Sequence, residues 1–147
     1  MQKNTPVAAG EDQTPCNCLA LRQAARHLTL VYDRYLAEAG LRTTQYSILS
    51  KLGRLGPLQI GELAETMVME RTALSRALKP LERDRLVVID TGPDARTRSV
   101  SLTAKGKTLL KEAAVRWRQA QKEFERGYGA DAAQALRSSL RRVVEAT

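Results

Sequence analysis

LQIGELAETMVMERTALSRALKPLERDRLVVIDTGPDARTRSVSLT, residues 58–103, is the stretch that decides the fold. Ile60, Leu63, Ala64 and Met67 recur at helical spacing, and Val68-Met69-Glu70 forms a short turn into a second helix. On that second helix Arg71, Thr72, Ser75, Arg76 and Lys79 share one side, while Leu74, Ala77, Leu78 and Leu81 share the other. The apolar side can dock on a core. The other offers cations and hydroxyls, the groups that meet phosphate oxygens and base edges. A candidate hairpin follows from Val87 to Leu102, with Gly92-Pro93-Asp94-Ala95-Arg96 at its tip. Helix, turn, helix and basic hairpin in that order predict a winged helix-turn-helix, a mainly α fold with a small β-hairpin wing, suited to gripping duplex DNA.

The 147 residues suffice for one compact domain with helical extensions. Hydrophobic residues make up 43%, enough for a core, and aromatics only 4%, which favours helices over a β-sandwich. The net charge of +8 and isoelectric point near 9.9 imply an anionic partner, for which DNA, RNA and acidic lipid all qualify, and the clustering of cations on one helix side is what gives the charge weight. No apolar run approaches the roughly 20 residues that span a bilayer, and Met1 to Pro15 lacks the apolar stretch of a signal peptide. A cytoplasmic protein with no membrane partner is therefore expected. Cys16 and Cys18, two residues apart, make no disulfide framework, which agrees with a reducing compartment.

Residues 1–15, with Pro6, Gly10 and Pro15, read as a flexible arm ahead of a domain over 16–147. A first helix is expected over about 18–39, stopped by Gly40. A second, capped by Thr43 or Thr44, carries Tyr46, Ile48, Leu49 and Leu52 to Gly53 and Gly56-Pro57. After the hairpin, Thr103 caps a long helix to about Arg126, interrupted by Gly127 and Gly129, and Asp131 caps a last one. The DNA-binding lobe is then about 42–103. The helices about 18–39 and 104–147 carry narrow apolar stripes that a chain this short cannot cover itself. A homodimer solves this and would set two recognition helices about one duplex turn, roughly 34 Å, apart; a monomer whose terminal helices pack on each other is the alternative.

The order of these pieces resembles the MarR family of bacterial transcription regulators from about Cys18 onward. The resemblance rests on Gly40-Leu41-Arg42-Thr43-Thr44-Gln45-Tyr46, Leu63-Ala64-Glu65, Thr72-Ala73-Leu74-Ser75-Arg76, Leu81-Glu82-Arg83-Asp84, Asp94-Ala95-Arg96 and Leu102-Thr103-Ala104-Lys105-Gly106. It implies a homodimer at the nucleoid that binds a pseudo-palindromic operator in double-stranded DNA, usually as a repressor. The signal it implies is a small aromatic or phenolic molecule, or an oxidant. Two departures stand out. Arg85 occupies a position where the family commonly has glycine, at a cost of about 1 kcal/mol if the backbone there is left-handed. Pro80 removes a hydrogen bond late in the recognition helix.

Arg76 and Ser75, with Arg71 and Thr72, form the expected major-groove set, because arginine takes guanine bidentately and hydroxyls serve phosphate or either base type. Lys79 is expected on phosphate. By resemblance Arg96 enters the minor groove, oriented by Asp94 through a charge-assisted hydrogen bond, and Arg98 adds a backbone contact.

Thr14-Pro15-Cys16-Asn17-Cys18 reads as a helix start, with Thr14 or Asn17 as cap and both thiols in the first turn, where free N–H groups favour thiolate; Arg22, four residues after Cys18, favours it further. Cys18-Leu19-Ala20-Leu21 resembles the stretch carrying the reactive cysteine in OhrR, the organic-hydroperoxide branch of the family. Tyr32 falls where that branch has a tyrosine hydrogen-bonded to the thiol. Arg22 replaces a second aromatic partner, and no C-terminal resolving cysteine is present, leaving Cys16 or a small thiol to resolve a sulfenate. The rival sensor is a ligand cleft between the dimer helices and the DNA-binding lobe, lined by Tyr35, Tyr46 and Trp117.

His27 with the two cysteines offers three ligands that need not converge, so no metal or cofactor is expected. The chain lacks a nucleophile–base–acid set and a glycine-rich phosphate loop, so no enzyme is expected; thiol peroxidase-type chemistry is the remote alternative, and a sequence-tolerant architectural DNA binder the nearer one.

Overall fold

The computed structural model describes residues 15–94 and 97–146. The elements are α1 (Asn17–Leu36), a 3-10 turn (Ala37–Ala39), α2 (Thr43–Leu55), β1 (Leu58–Gln59), α3 (Ile60–Met67), α4 (Arg71–Arg83), β2 (Val87–Asp90), β3 (Ser99–Leu102), α5 (Ala104–Tyr128) and α6 (Ala130–Ala146). The expected arm, 1–15, lies outside the described residues apart from Pro15, which is exposed. The fold is the winged helix-turn-helix that the sequence predicts. Its sheet has one strand more than the hairpin supplied. β1 pairs antiparallel with β3, opposing Leu58 to Val100, and the order is β1-β3-β2.

One core ties this lobe together. Ile48, Leu49 and Leu52 of α2, Leu63 and Ala64 of α3, Leu74, Leu78 and Leu81 of α4, and Val87 and Val100 of the sheet are all buried, joined by Leu36 of α1 and Ala113 of α5. Each such leucine contributes roughly 1.5–3 kcal/mol relative to its exposed state. Alternation on β2 and β3 turns Val87, Ile89 and Val100 inward while Val88 is half exposed.

Three helix ends use the same device, a residue in left-handed backbone whose follower donates its N–H back to a carbonyl five residues earlier. Leu41 N donates to Leu36 O at 3.1 Å past Gly40, Met69 N to Ala64 O at 2.9 Å past Val68, and Leu86 N to Leu81 O at 2.8 Å past Arg85. Gly40 adopts its φ of 74° without steric cost. Val68 (φ 52°) and Arg85 (φ 58°) carry a Cβ into the same region. The arginine that departs from the family pattern therefore does sit in left-handed backbone. Pro80, by contrast, does not end its helix: α4 runs through it to Arg83.

The helix starts differ from expectation in detail. Cys16, not Thr14 or Asn17, is the N-cap of α1, its Sγ accepting from Leu19 N at 3.4 Å. α2 begins at Thr43 with Arg42 as N-cap. Asp33 of α1 accepts from Thr43 N at 2.7 Å, so a long-range carboxylate does the work expected of a local threonine. Gly127 lies inside α5, and the break falls at Gly129, φ 100°.

Thr103 caps α5 as expected, its Oγ1 accepting from Gly106 N at 3.0 Å. The same residue donates its N–H to Leu86 O at 3.1 Å. A Cβ on Gly106 would lie 2.0 Å from that carbonyl oxygen, so glycine is what lets α5 start against the entry to β2.

The terminal helices are covered on one side only. α1 and α5 pack along each other, with Tyr32 OH donating to Gln121 Oε1, and Glu38 of the 3-10 turn pairs with Arg116 of α5 at 2.9 Å. Yet Leu19, Leu21 and Leu30 of α1 and Leu140, Val143 and Val144 of α6 are exposed, Leu30 by 67%. No helix among the described residues is long and apolar enough to cross a membrane.

Candidate nucleic-acid interface

The burial of Leu74, Leu78 and Leu81 fixes the rotation of α4, and with it the outward direction of the opposite side. Arg71, Thr72, Ser75, Arg76 and Lys79 are all exposed there. No acid stands in the first turn of α4. The five side chains thus form one continuous cationic and hydroxylic ridge from the start of α4 to its last turn but one.

Arg71 is placed differently from its neighbours. A Cβ on Gly61 would meet Arg71 Nη2 at 2.7 Å and Cζ at 3.3 Å, so the guanidinium lies back over the first turn of α3. Gly61 was not a candidate in the sequence reading. A glycine in the first turn of a helix is the signal that marks such a close approach.

The wing stands beside this ridge. Asp94 O accepts from Thr97 N at 2.9 Å and Thr97 Oγ1 at 2.8 Å, closing the tip. Arg98 is exposed, and its carbonyl accepts from Ile60 N at 3.1 Å, fastening the wing strand to the start of α3. Arg96 lies outside the described residues, so its pairing with Asp94 does too.

Cys16 and Cys18 are exposed free thiols at the start of α1, and Arg22 is exposed one turn further on. Tyr32 is not brought to them within one chain: fourteen residues of helix span roughly 21 Å, and its hydroxyl is engaged by Gln121 of α5. Burial, then the nearby Glu125 carboxylate, hold the Tyr32 phenol above its usual range. Gln121 left no mark in the sequence, being 89 residues away.

The aromatic candidates separate into two places. Tyr46 is buried and stacks on Trp117, centroids 6.1 Å apart, and burial pushes the pKa of its phenol up. The Tyr35 phenol is also held above its usual pKa, first by its hydrogen bond to the Glu123 carboxylate of α5. No group of three His, Cys, Asp or Glu among the described residues is arranged for a metal, and His27 lies on α1 beside Glu123 and Tyr128.

A buried-faced helix behind a short turn, an exposed cationic ridge and a three-stranded wing define a winged helix-turn-helix protein of the DNA-reading type. The profile of the MarR family matches residues 39–97, from the end of the 3-10 turn into the wing. The structure superposes on the transcriptional regulator MosR of M. tuberculosis with a TM-score of 0.77 and 35% identity, over 90% of this chain and 97% of the other. Against the same regulator in complex with DNA, the TM-score is 0.77 and the identity 37%, over 89% and 97%. An HTH-type transcriptional regulator of Bacillus cereus is 31% identical over 81 residues, 55% of this chain and 54% of the relative. The chain thus spans about half the length of the curated relatives it matches. It belongs to the MarR family.

Proposed function

We propose that this protein is a homodimeric transcriptional regulator that binds a pseudo-palindromic operator, as a repressor, and leaves it when an oxidant or a small aromatic ligand arrives. The exposed ridge of α4 carries the reading: five polar side chains, all solvent-facing, on a helix whose other side is locked in the core. The DNA complex of MosR, a relative at 37% identity, supports it. Thr72, Ser75 and Arg76 are assigned to base edges and Lys79 to phosphate. Arg71, drawn back over Gly61, is assigned to phosphate rather than to a base. Asp94, Arg96 and Arg98 of the wing are assigned to the neighbouring minor groove and backbone.

The dimer reading rests on the uncovered leucines and valines of α1 and α6, and on an apolar cleft of about 360 Å³ between α1, α5 and α6 that Leu28, Phe124, Leu136 and Leu140 line. Of the two signals, the thiols are favoured by a specific observation, their exposure at the capped start of α1, whereas Tyr46 and Trp117 occupy each other's faces. In that chemistry the Cys18 thiolate attacks the terminal oxygen of a hydroperoxide, the O–O bond breaks, and the sulfenic acid forms as the leaving alkoxide takes a proton from water to become the alcohol. The Cys16 thiol then displaces water to form a disulfide. Any contact of Tyr32 with a thiol requires a second copy of the chain.

The test is a footprint and anisotropy titration on the DNA upstream of the protein's own coding region, with and without cumene hydroperoxide or hydroxybenzoate. Discrete protection that hydroperoxide removes, and that Cys18→Ser retains under hydroperoxide, is expected. Binding with no preference over random duplex would overturn the operator reading, and equal release of the Cys18→Ser protein would overturn the thiol reading.

A further inference from the structure

A second cleft lies away from the α4 ridge. The C-terminal end of α2 (Leu52, Gly53, Gly56), Pro57, strand β3 (Ser101, Leu102) and the first turns of α5 (Lys107, Leu110, Lys111) enclose about 410 Å³, within the range of small-molecule sites. Its floor is aliphatic. Gly53 lets Leu110 lie close against α2 in one wall of the cleft: a Cβ there would meet Leu110 Cδ2 at 2.6 Å. No aromatic ring and no carboxylate lines it.

The charge at its mouth is uncompensated. Lys107 and Lys111 are four residues apart on one side of α5, where like charges repel. α5 has no acid in its first turn, so Lys107 also stands near the positive end of the helix, where an anion and not a cation is favoured. Lys105 is spent on Asp84 O at 2.9 Å. Among the described residues the side chain of neither Lys107 nor Lys111 makes an ion pair or hydrogen bond. The Ser101 hydroxyl, half-buried in the wall, is likewise without a side-chain hydrogen bond.

We propose that this cleft between α2, β3 and α5 is a binding site for an aliphatic carboxylate of medium chain length, its tail on Leu52, Pro57, Leu102 and Leu110 and its head between Lys107 and Lys111. An aliphatic tail is chosen over an aromatic one because the walls offer branched alkyl groups and bare glycine backbone, with no ring to stack on. The carboxylate is chosen because it answers two lysines and a helix start together.

The experiment uses the full chain without DNA, so its outcome is independent of the operator reading. Butanoate, hexanoate, octanoate and octanol are titrated by calorimetry, and octanoate is followed by amide shifts of 15N-labelled protein. Saturable octanoate binding is expected, tightening about fourfold per added methylene as apolar surface is buried. Octanol, and octanoate with the Lys107→Gln/Lys111→Gln protein, should each bind about tenfold more weakly. Amide shifts should gather at 52–57, 101–102 and 107–111. Absence of saturable binding, equal affinity for octanol, an unchanged double variant, or shifts gathered on the exposed faces of α1 and α6 would each overturn the assignment.

Discussion

Gly106→Ala tests how α5 is seated on the DNA-binding lobe. The added methyl would stand 2.0 Å from Leu86 O and 3.0 Å from Leu86 C, both backbone atoms. A carbon normally keeps about 3.3 Å or more from a carbonyl oxygen, so the start of α5 and the entry to β2 must part by about 1 Å. Overpacking of this kind costs about 1–3 kcal/mol. The hydrogen bond from Thr103 N to Leu86 O, 3.1 Å here, stretches with it, at about 0.5–1.5 kcal/mol. Against this, alanine in a helix interior gains about 1 kcal/mol over glycine. The expected net loss is about 2 kcal/mol, or roughly 4–8 °C in Tm for a chain of this size. Gly127→Ala in the same helix is the matched control. Nothing lies within 4 Å of its Cβ position and its φ is not positive, so propensity alone should raise stability by up to about 1 kcal/mol. Urea unfolding of both variants at one protein concentration is the assay, since association would otherwise shift the midpoints. A Gly106→Ala protein as stable as its parent, or more so, would refute the contact and with it the seating of α5.

Further outcomes follow from the same geometry. Val68→Gly should stabilise by about 0.5–1 kcal/mol, because it relieves a β-branched residue in left-handed backbone and sacrifices a side chain already 69% exposed. Loss on chemical denaturation would count against that turn. Arg76→Ala should weaken the operator and relax its sequence preference, whereas Lys79→Ala and Arg71→Ala should weaken all duplex alike and lower the log–log salt slope by about 1 each. Gly61→Ala should reproduce the Arg71→Ala phenotype without adding to it, and additive losses in a double-mutant cycle would separate the two residues. Tyr46, whose pKa burial raises, keeps its proton in the fold after the unfolded chain has lost it. Its contribution is therefore complete below its ordinary value of 10.0 and is lost as pH rises through the folded value. Tyr46→Phe should leave neutral-pH stability nearly unchanged and flatten the alkaline decline. An identical decline would exclude Tyr46 as its source.

What was legible in the sequence was whatever repeats at a helical or alternating period. Leu74, Leu78 and Leu81 set the rotation of α4, and Thr103 and Gly40 marked helix ends by chemistry that acts over three or four residues. Arg85 announced its strain in advance because a cationic side chain stood where the family places glycine. Long-range partners were not legible. Asp33 caps α2 from another helix, and Gln121 takes the Tyr32 hydroxyl across 89 residues, so neither has a spacing to be recognised by. β1 escaped because two residues carry no alternation; its pairing to β3 exists only once the hairpin is folded. In the candidate interface the ridge was readable residue by residue. The retreat of Arg71 over Gly61 was not, because direction of a long side chain depends on what stands beside the helix rather than on it.

The bond from Ile60 N to Arg98 O has a mechanical consequence. It rivets the wing's returning strand to the helix that steadies α4, so neither arm of the grip can flex while the other stays put. A duplex whose grooves are slightly wider or narrower would have to be met by swivelling the whole head on α5, which turns tolerance for operator geometry into a property of the neck and not of the fingers.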